Sequence, residues 1–169
     1  MLVIVTGLTG SGKTTYCNTY LEEHKAEVFS IDNWMRALYW EDMPKEPDMN
    51  WFVKNQKWYT DRIQRCEGMI KSELIELLDV DADVLLDLGF TSANHRKLYI
   101  DLARKHDVEV EIHHIDVDPK ERWRRVQERN SKKGDTYAMQ VTKEMFDYIE
   151  GIFEEFTEIE KAILKSIKG

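Results

Sequence analysis

Four short apolar runs punctuate the chain, and each is followed by a longer amphipathic stretch. The runs cover residues 2–6, 27–31, 83–87 and 108–117, and their length predicts β-strands. The first run is apolar without a break, which is typical of a parallel strand covered on both faces. Apolar positions at helical spacing predict helices over residues 13–24, 33–40, 51–79, 94–105, 119–129 and 142–168.

The order of these elements indicates the fold class. Strands that alternate with helices build a parallel sheet with helices on both faces, joined by right-handed crossovers. We therefore expect an α/β fold, a three-layer α/β/α sandwich with a mainly parallel sheet of four to five strands. Two of the three prolines lie in residues 41–50, which predicts a loop, and residues 131–136 form a polar break that contains Gly134.

A glycine-rich stretch, Gly7-Leu8-Thr9-Gly10-Ser11-Gly12-Lys13-Thr14, lies between the first predicted strand and the first predicted helix. It matches the G-x-x-x-x-G-K-[ST] phosphate-binding loop at every position. Glycines bring backbone N–H groups close to a triphosphate, and the following helix offers its positive end to the same anion. We therefore expect a P-loop NTPase fold that binds a nucleoside triphosphate. Its predicted phosphate contacts are Gly7, Thr9, Gly10, Ser11, Gly12, Lys13, Thr14 and Thr15.

Composition narrows the class of protein and its partners. The 169 residues are 42% hydrophobic and 33% charged, which is typical of one globular domain with a sizeable core. The net charge of −8 disfavours broad binding to nucleic acid or to membrane surfaces. No apolar run approaches the length of a membrane span or a signal-peptide core, so we expect a cytoplasmic protein. Cys17 and Cys66 fit buried, reduced thiols within helices.

Two acids follow predicted strands at the edge of the sheet where the phosphate loop lies. Asp87 ends the third strand in the pattern of a Walker B motif. It is either a ligand of Mg²⁺ opposite Thr14 or a structural carboxylate. Asp32 follows the second strand. It is either a general base that accepts the proton of an attacking hydroxyl or the N-cap of the next helix.

The most basic stretch of this acidic chain lies in the helix after the fourth strand. Arg122, Arg125 and Arg129 are spaced to share one face of that helix. Arginines supplied from a lid stabilise the charge of a transferred phosphoryl group. We expect a helical lid over residues 122–141, in which Arg125 and Arg129 contact phosphates, and a solvated charged face is the alternative. Arg96 opens the preceding helix and is either a substrate contact or a surface charge.

Aromatic residues gather between Asp32 and the long predicted helix. They either line an acceptor pocket, with Arg36, Arg62 or Arg65 as contacts for an anion, or form the core beneath a long loop. The members of this aromatic cluster are Trp34, Tyr39, Trp40, Trp51, Phe52, Trp58 and Tyr59.

Five segments, in their order, resemble the small P-loop kinase-like ATP-binding proteins related to zeta toxins, chloramphenicol phosphotransferase and the kinase domain of phage-type polynucleotide kinase. The segments are GLTGSGKTT, SIDNWMR, VLLDLGFTSANHRK, ERWRRVQERN and GDTYAMQVTKEMF, within about residues 2–156. The resemblance implies ATP and Mg²⁺ as cofactors. It also implies catalytic roles for Lys13, Asp32, Arg125 and Arg129, a role in Mg²⁺ binding for Thr14, and substrate contacts by Arg36 and Arg96. Arg36 stands four residues after Asp32, where the related pattern often has three.

Together these features predict a single domain over residues 1–169, with an acceptor-side helical insertion at about residues 33–80. We expect an ATP- and Mg²⁺-dependent phosphotransferase that moves the γ-phosphate to a hydroxyl acceptor. The acceptor is a small molecule, a nucleoside or sugar derivative, or a nucleic-acid 5′ end. The alternatives are an NTPase or a nucleotide-dependent switch without a small-molecule acceptor. The sequence leaves the identity of the acceptor, the preference for ATP over GTP and the oligomeric state open.

Overall fold

Five parallel strands form the centre of the fold in a computed structural model that describes residues 1–133 and 139–169. The strands lie in the order β2-β3-β1-β4-β5, and each pairing between neighbours in this sheet is parallel. The predicted α/β class and mainly parallel sheet are confirmed. The bounds are β1 (Leu2–Thr6), β2 (Glu27–Ser30), β3 (Val84–Asp87), β4 (Val110–Asp116) and β5 (Leu164–Lys168).

Helices fill the connections between the strands. A 3-10 turn over Trp40–Asp42 follows the second helix. Ser92 caps the helix that follows β3, and Asp118, with Pro119 after it, caps the helix that follows β4. The helices are α1 (Lys13–Glu23), α2 (Ile31–Tyr39), α3 (Met49–Lys54), α4 (Gln56–Asp79), α5 (Ala93–Lys105), α6 (Pro119–Lys132), α7 (Lys143–Ile152) and α8 (Glu158–Lys161).

The unbroken apolar character of β1 follows from its position at the centre of the sheet. Leu2 and Ile4 face the layer that holds α4 and α5, whereas Val3 and Val5 face the layer that holds α1. All four side chains are at most 1% exposed. Burial on both faces removes the whole strand from water and stabilises the three-layer arrangement. The phosphate loop therefore begins at the end of the most buried strand.

The predicted helix over residues 142–168 is wrong. Helix α7 ends at Ile152, and the chain continues through α8 into the edge strand β5, in which Leu164 pairs with Ile112 of β4. Leu164 and Ile167 are three residues apart, a spacing that fits a helix as well as a strand end. The available signal for the break was the capping box of Thr157 and Glu160, which starts α8.

Smaller differences from the predicted elements bear on the site. Residue 31 begins α2 instead of ending β2, so Asp32 lies in the first turn of a helix. The predicted helix over residues 51–79 is divided at Asn55, between α3 and α4. Helix α6 continues through Lys132, into the predicted polar break. Residues 134–138, which hold Gly134 and part of the predicted lid, lie outside the described residues.

Two further expectations concern the cysteines and the membrane. Cys17 in α1 and Cys66 in α4 are buried and free, which confirms the predicted thiols. Among residues 1–133 and 139–169, no helix has the length and apolar character needed to cross a membrane.

Candidate active site

The phosphate loop joins β1 to α1 and passes close to α6. Gly10 (φ +82°) and Gly12 (φ +99°) have backbone angles that favour glycine. A Cβ atom on Gly10 would lie 2.5 Å from the carbonyl oxygen of Arg122. Helix α1 has no acidic side chain in its first turn, so its positive end is not neutralised from within the helix. The loop is therefore shaped for an anion at the start of α1.

The polar side chains of the loop differ in burial and in hydrogen bonding. The Lys13 ammonium donates a hydrogen bond to the carbonyl oxygen of Gly7, 2.8 Å away. Ser11 Oγ is buried without a hydrogen-bond partner in the described part of the chain, and it fills the space that a Cβ on Gly7 would occupy. Thr14 and Thr15 are exposed in the first turn of α1, and Thr9 is half-buried. Direct contacts of these residues with phosphates stay a prediction.

Neighbouring strands bring the two predicted acids to one edge of the sheet. Ser30, the last residue of β2, pairs in register with Asp87, and Asp32 follows two residues later. The Ser30 hydroxyl caps α2 by accepting a hydrogen bond from the Asn33 backbone N–H at 3.4 Å. The alternative role of Asp32 as the helix cap is therefore wrong. Its exposed carboxylate makes no hydrogen bond or ion pair with any described residue.

Asp87 is buried, and its carboxylate has no hydrogen-bond or ion-pair partner among the described residues. Its side chain is 8% exposed and makes no hydrogen bond or ion pair within the described ranges. Burial raises the pKa of this carboxyl to about 6, and the charge of Asp32 adds to the rise, whereas the Lys13 ammonium opposes it. A carboxylate held in this way fits a divalent cation that supplies the missing positive charge.

The donor set near Asp87 suits Mg²⁺ bound together with phosphates. No group of three or more His, Cys, Asp or Glu side chains in the described residues could hold a metal ion by itself. Mg²⁺ commonly takes only one or two protein ligands and completes its shell with water and substrate phosphates. Asp87 and the exposed hydroxyl of Thr14 fit that pattern. Their role as ligands stays a prediction.

Arg125 brings α6 into contact with the phosphate loop. Its Nη1 donates to the carbonyl oxygen of Ser11 at 3.4 Å, and its Nε donates to Glu121 at 2.8 Å. Arg129 lies one turn later on α6 and is half-buried. Arg124, the residue before Arg125, pairs on the exposed side of the helix with Glu121 and Glu128. The face of α6 that carries Arg125 is thus turned towards the loop.

Arg122, which the sequence analysis placed on one helical face with Arg125 and Arg129 without giving it a role, contacts the phosphate loop. Its buried guanidinium donates from Nη1 to the carbonyl oxygen of Thr9 at 3.4 Å. Nη2 donates to both carboxylate oxygens of Glu150, at 2.7 and 2.8 Å. The arginine therefore ties the loop to α7 as well as to α6. Its position three residues before Arg125, on the same helical face, was the signal that could have identified it.

The structure contradicts the predicted substrate contact of Arg96 and also its alternative as a surface charge. The residue is 0% exposed. Nε and Nη2 donate to the two carboxylate oxygens of Glu160 at 2.5 and 3.3 Å. A guanidinium enclosed in this way has no donor left for a substrate, and it holds α8 against α5 instead. Its other hydrogen bonds go to the backbone carbonyl oxygens of Phe90, Thr91, Glu154 and Glu155.

The helices between β2 and β3 carry the aromatic cluster. The rings of Trp51 and Trp58 meet edge to face with centroids 5.7 Å apart, and those of Phe52 and Tyr59 at 5.1 Å. Burial, with a smaller effect from the charge of Asp32, raises the pKa of Tyr59 to about 12. The cluster therefore extends towards Asp32.

Arg36, the other predicted substrate contact, lies one turn after Asp32 on α2. It is exposed, and its Nη2 donates to the side-chain oxygen of Asn33 at 3.3 Å. Because that single bond is solvent-exposed, the guanidinium can exchange it for another acceptor at little cost. Its contact with a substrate stays a prediction.

Comparison with known proteins places the chain in a family. A family model described as an AAA domain, AAA_33, matches residues 2–156. The match covers most of the chain, and the chain belongs to this family of AAA domains. A search of curated proteins finds no match.

Solved structures share the fold at low sequence identity. A chain of the Pnkp1/Rnl/Hen1 RNA repair complex matches with a TM-score of 0.67 and 17% identity over 95% of this chain and 45% of that chain. A sugar kinase from Janibacter sp. HTCC2649 matches with a TM-score of 0.58 and 17% identity, over 99% and 84% of the two chains. A gluconokinase from Sinorhizobium meliloti 1021 matches with a TM-score of 0.62 and 12% identity, over 98% and 81%. This chain spans less than half of the repair-complex chain, and these likenesses concern the fold.

Proposed function

We propose that the chain is an ATP- and Mg²⁺-dependent phosphotransferase that moves the γ-phosphate to a hydroxyl acceptor. The observation that carries this proposal is the exposed carboxylate of Asp32, which makes no ion pair with any described residue and lies beside the strand end that holds Asp87. A carboxylate not used for capping or ion pairing is free to bind a hydroxyl. The phosphate loop and the resemblance of the sequence to P-loop kinase-like proteins support the same function.

The residues of the loop bind the nucleotide in this proposal. Backbone N–H groups of the loop hold the phosphates, and Lys13 exchanges its bond to the Gly7 carbonyl oxygen for the β- and γ-phosphate oxygens. Thr14 and Asp87 hold Mg²⁺, which supplies neutralising charge to those oxygens when bound. Arg125 and Arg129 contact the phosphates from α6 and help exclude water, because water would otherwise compete for the phosphoryl group.

Asp32 acts on the acceptor. Its carboxylate accepts the proton of the acceptor hydroxyl while the hydroxyl oxygen forms the new bond to the γ-phosphorus and the bond to the β-phosphate oxygen breaks. Arg36, one turn later and exposed, contacts the acceptor. Sugar kinases and an RNA repair chain share the fold, so small polyols and nucleic-acid 5′-hydroxyl ends are both acceptor classes to test.

An acceptor screen with γ-labelled ATP tests the proposal. Candidate sugars, nucleosides and 5′-hydroxyl oligonucleotides are compared for labelled product in the wild type, in Asp32→Asn and in Asp101→Asn, an exposed acid on α5. We expect one acceptor class to stimulate ADP release, with roughly 10²–10⁴-fold loss in Asp32→Asn and none in Asp101→Asn. Full ATP turnover by Asp32→Asn, without stimulation by any hydroxyl compound, would instead identify an NTPase or a nucleotide-dependent switch.

A further inference from the structure

Arg62 on α4 is held between aromatic rings and keeps unused hydrogen-bond donors. Its guanidinium carbon lies 3.7 Å from the centroid of the Trp58 ring and 5.3 Å from that of Tyr39. Nη1 donates to the carbonyl oxygen of Trp58 at 3.1 Å, whereas Nε is buried without a partner in the described residues. Ring faces stabilise a cation, but they do not replace the hydrogen bonds that its N–H groups lose on burial. The site is therefore charged and incompletely satisfied.

Arg62 differs from the arginines that hold the fold together, because no carboxylate in the described part of the chain pairs with it. Those arginines pair with carboxylates: Arg96 with Glu160, Arg122 with Glu150 and Arg125 with Glu121. Within the described ranges Arg62 makes no ion pair with any acid. The adjacent Asp61 is engaged by Lys57, through bonds of 2.8 and 3.1 Å. The half-buried guanidinium of Arg62 is therefore available to an anion that comes from a bound molecule.

Helix packing brings this cation to the surface that carries Asp32. Asp32, Arg36 and Tyr39 are spaced by four and three residues, so they lie on one face of α2. Tyr39 contacts Arg62 and follows Asp32 by seven residues, or about 10 Å of helix. Tyr59, three residues before Arg62 on α4, is close enough to Asp32 for its charge to contribute to the raised pKa of the phenol. The carboxylate and the cation therefore face one common region.

We propose that Arg62 binds an oxyanion, a carboxylate or a phosphate, on the acceptor whose hydroxyl lies at Asp32. The planar fork of a guanidinium matches either group with two parallel hydrogen bonds. The proposal rests on the proposed function for the hydroxyl end and names the substrate class. The acceptor carries both a hydroxyl and an anionic group, as in sugar acids, sugar phosphates and nucleotides.

Calorimetric binding of three sugars tests this assignment without relying on phosphoryl transfer. Glucose, gluconate and glucose 6-phosphate are titrated into protein saturated with Mg²⁺ and a non-hydrolysable ATP analogue, so that the phosphate loop cannot take up the anion. We expect gluconate or glucose 6-phosphate, which each carry an anionic group, to bind about tenfold or more tightly than neutral glucose. The anion that is preferred distinguishes a carboxylate from a phosphate. The measurement reports binding and not phosphoryl transfer. A protein that prefers an anionic sugar but transfers no phosphoryl group would therefore contradict the proposed function and not the role of Arg62.

Matched variants connect the preference to Arg62. Arg62→Gln is expected to remove the preference, and Arg104→Gln, at an exposed arginine on α5, is expected to keep it. Arg62→Lys retains the positive charge but not the planar fork of the guanidinium, so we expect the preference for an anionic sugar to fall by a few-fold. If thermal melting shows that Arg62→Gln does not fold, Arg62→Lys becomes the test of the proposal. Equal binding of all three sugars by the wild type, or an unchanged preference in folded Arg62→Gln, would overturn the proposal.

Discussion

Arg125 donates a hydrogen bond from Nη1 to the backbone carbonyl oxygen of Ser11, 3.4 Å away. The bond joins α6 to the phosphate loop two residues before Lys13. Glu121 holds the same guanidinium through Nε at 2.8 Å, so the side chain is positioned from two sides. The guanidinium of Arg125 therefore lies beside the phosphate loop.

Replacement of Arg125 tests whether this contact serves the nucleotide. Arg125→Ala is expected to lower kcat/KM for ATP by roughly 10²–10³-fold, because charge stabilisation of the transferred phosphoryl group is lost. Arg124→Ala is the matched control, since Arg124 shares Glu121 but is 61% exposed and pairs away from the loop. Steady-state ADP release measures both. Equal losses in the two variants would contradict a specific role for Arg125.

Glycine substitutions test the close approach of the loop to α6. Gly10→Ala places a Cβ 2.5 Å from the Arg122 carbonyl oxygen in a left-handed backbone conformation, so we expect a loss of stability of about 2 kcal/mol or more and weakened nucleotide binding. A Cβ on Gly68, in α4, meets no atom within 4 Å. Gly68→Ala is therefore expected to stabilise the protein by about 0.5–1 kcal/mol. Urea unfolding compares the two, and a neutral Gly10→Ala would show that the loop relaxes freely.

The buried ion pair of Arg96 and Glu160 predicts a large structural effect far from the loop. Glu160→Gln leaves the Arg96 charge buried without a counter-ion and is expected to lower the free energy of unfolding by about 3–5 kcal/mol. Glu158, in the same short helix, is 88% exposed and pairs with Lys161. Glu158→Gln is expected to change stability by less than about 1 kcal/mol. If urea unfolding gave the same small change for both, Arg96 would not depend on Glu160.

The raised pKa of Asp87 leads us to expect that the stability of the protein falls as the pH rises. Burial raises the pKa of its carboxyl from 3.8 to about 6; the folded protein therefore binds more protons than the unfolded chain between these values, and stability decreases as the pH rises through this window. Asp87→Asn removes the charge and is expected to stabilise the protein by about 2–3 kcal/mol above pH 7, but not near pH 3. Urea unfolding in EDTA across pH measures this difference. A constant difference at all pH values would contradict the raised pKa.

The same variant also tests the proposed metal site, because here the wild type and not Asp87→Asn is expected to gain more stability. With Mg²⁺ and ATP present, the wild type is expected to gain stability through ligand binding. Asp87→Asn is expected to gain much less, because a ligand of the cation is missing. If thermal melting gave the same gain for both proteins, Asp87 would not be a Mg²⁺ ligand.

Local patterns were sufficient for most of the fold. The unbroken apolar run of β1 and the alternation of strands with helices predict a parallel α/β sheet, which the structure confirms. The C-terminal part could not be predicted in this way, because Leu164 and Ile167 are compatible with both a helix and a strand. The long-range pairing of Leu164 with Ile112 decides between them.

The candidate site divides along the same line. The sequence by itself determined the phosphate loop, since the backbone geometry that binds phosphate requires glycine at fixed spacing and a lysine at its end. It also placed Asp32 and Asp87 after strands. Only the tertiary structure decided that Ser30, and not Asp32, caps α2, that Arg96 pairs with Glu160, and that Arg62 makes no ion pair with any described acid. The physical reason is that the role of a charged side chain depends on the groups that contact it, and these groups come from segments far apart in the chain.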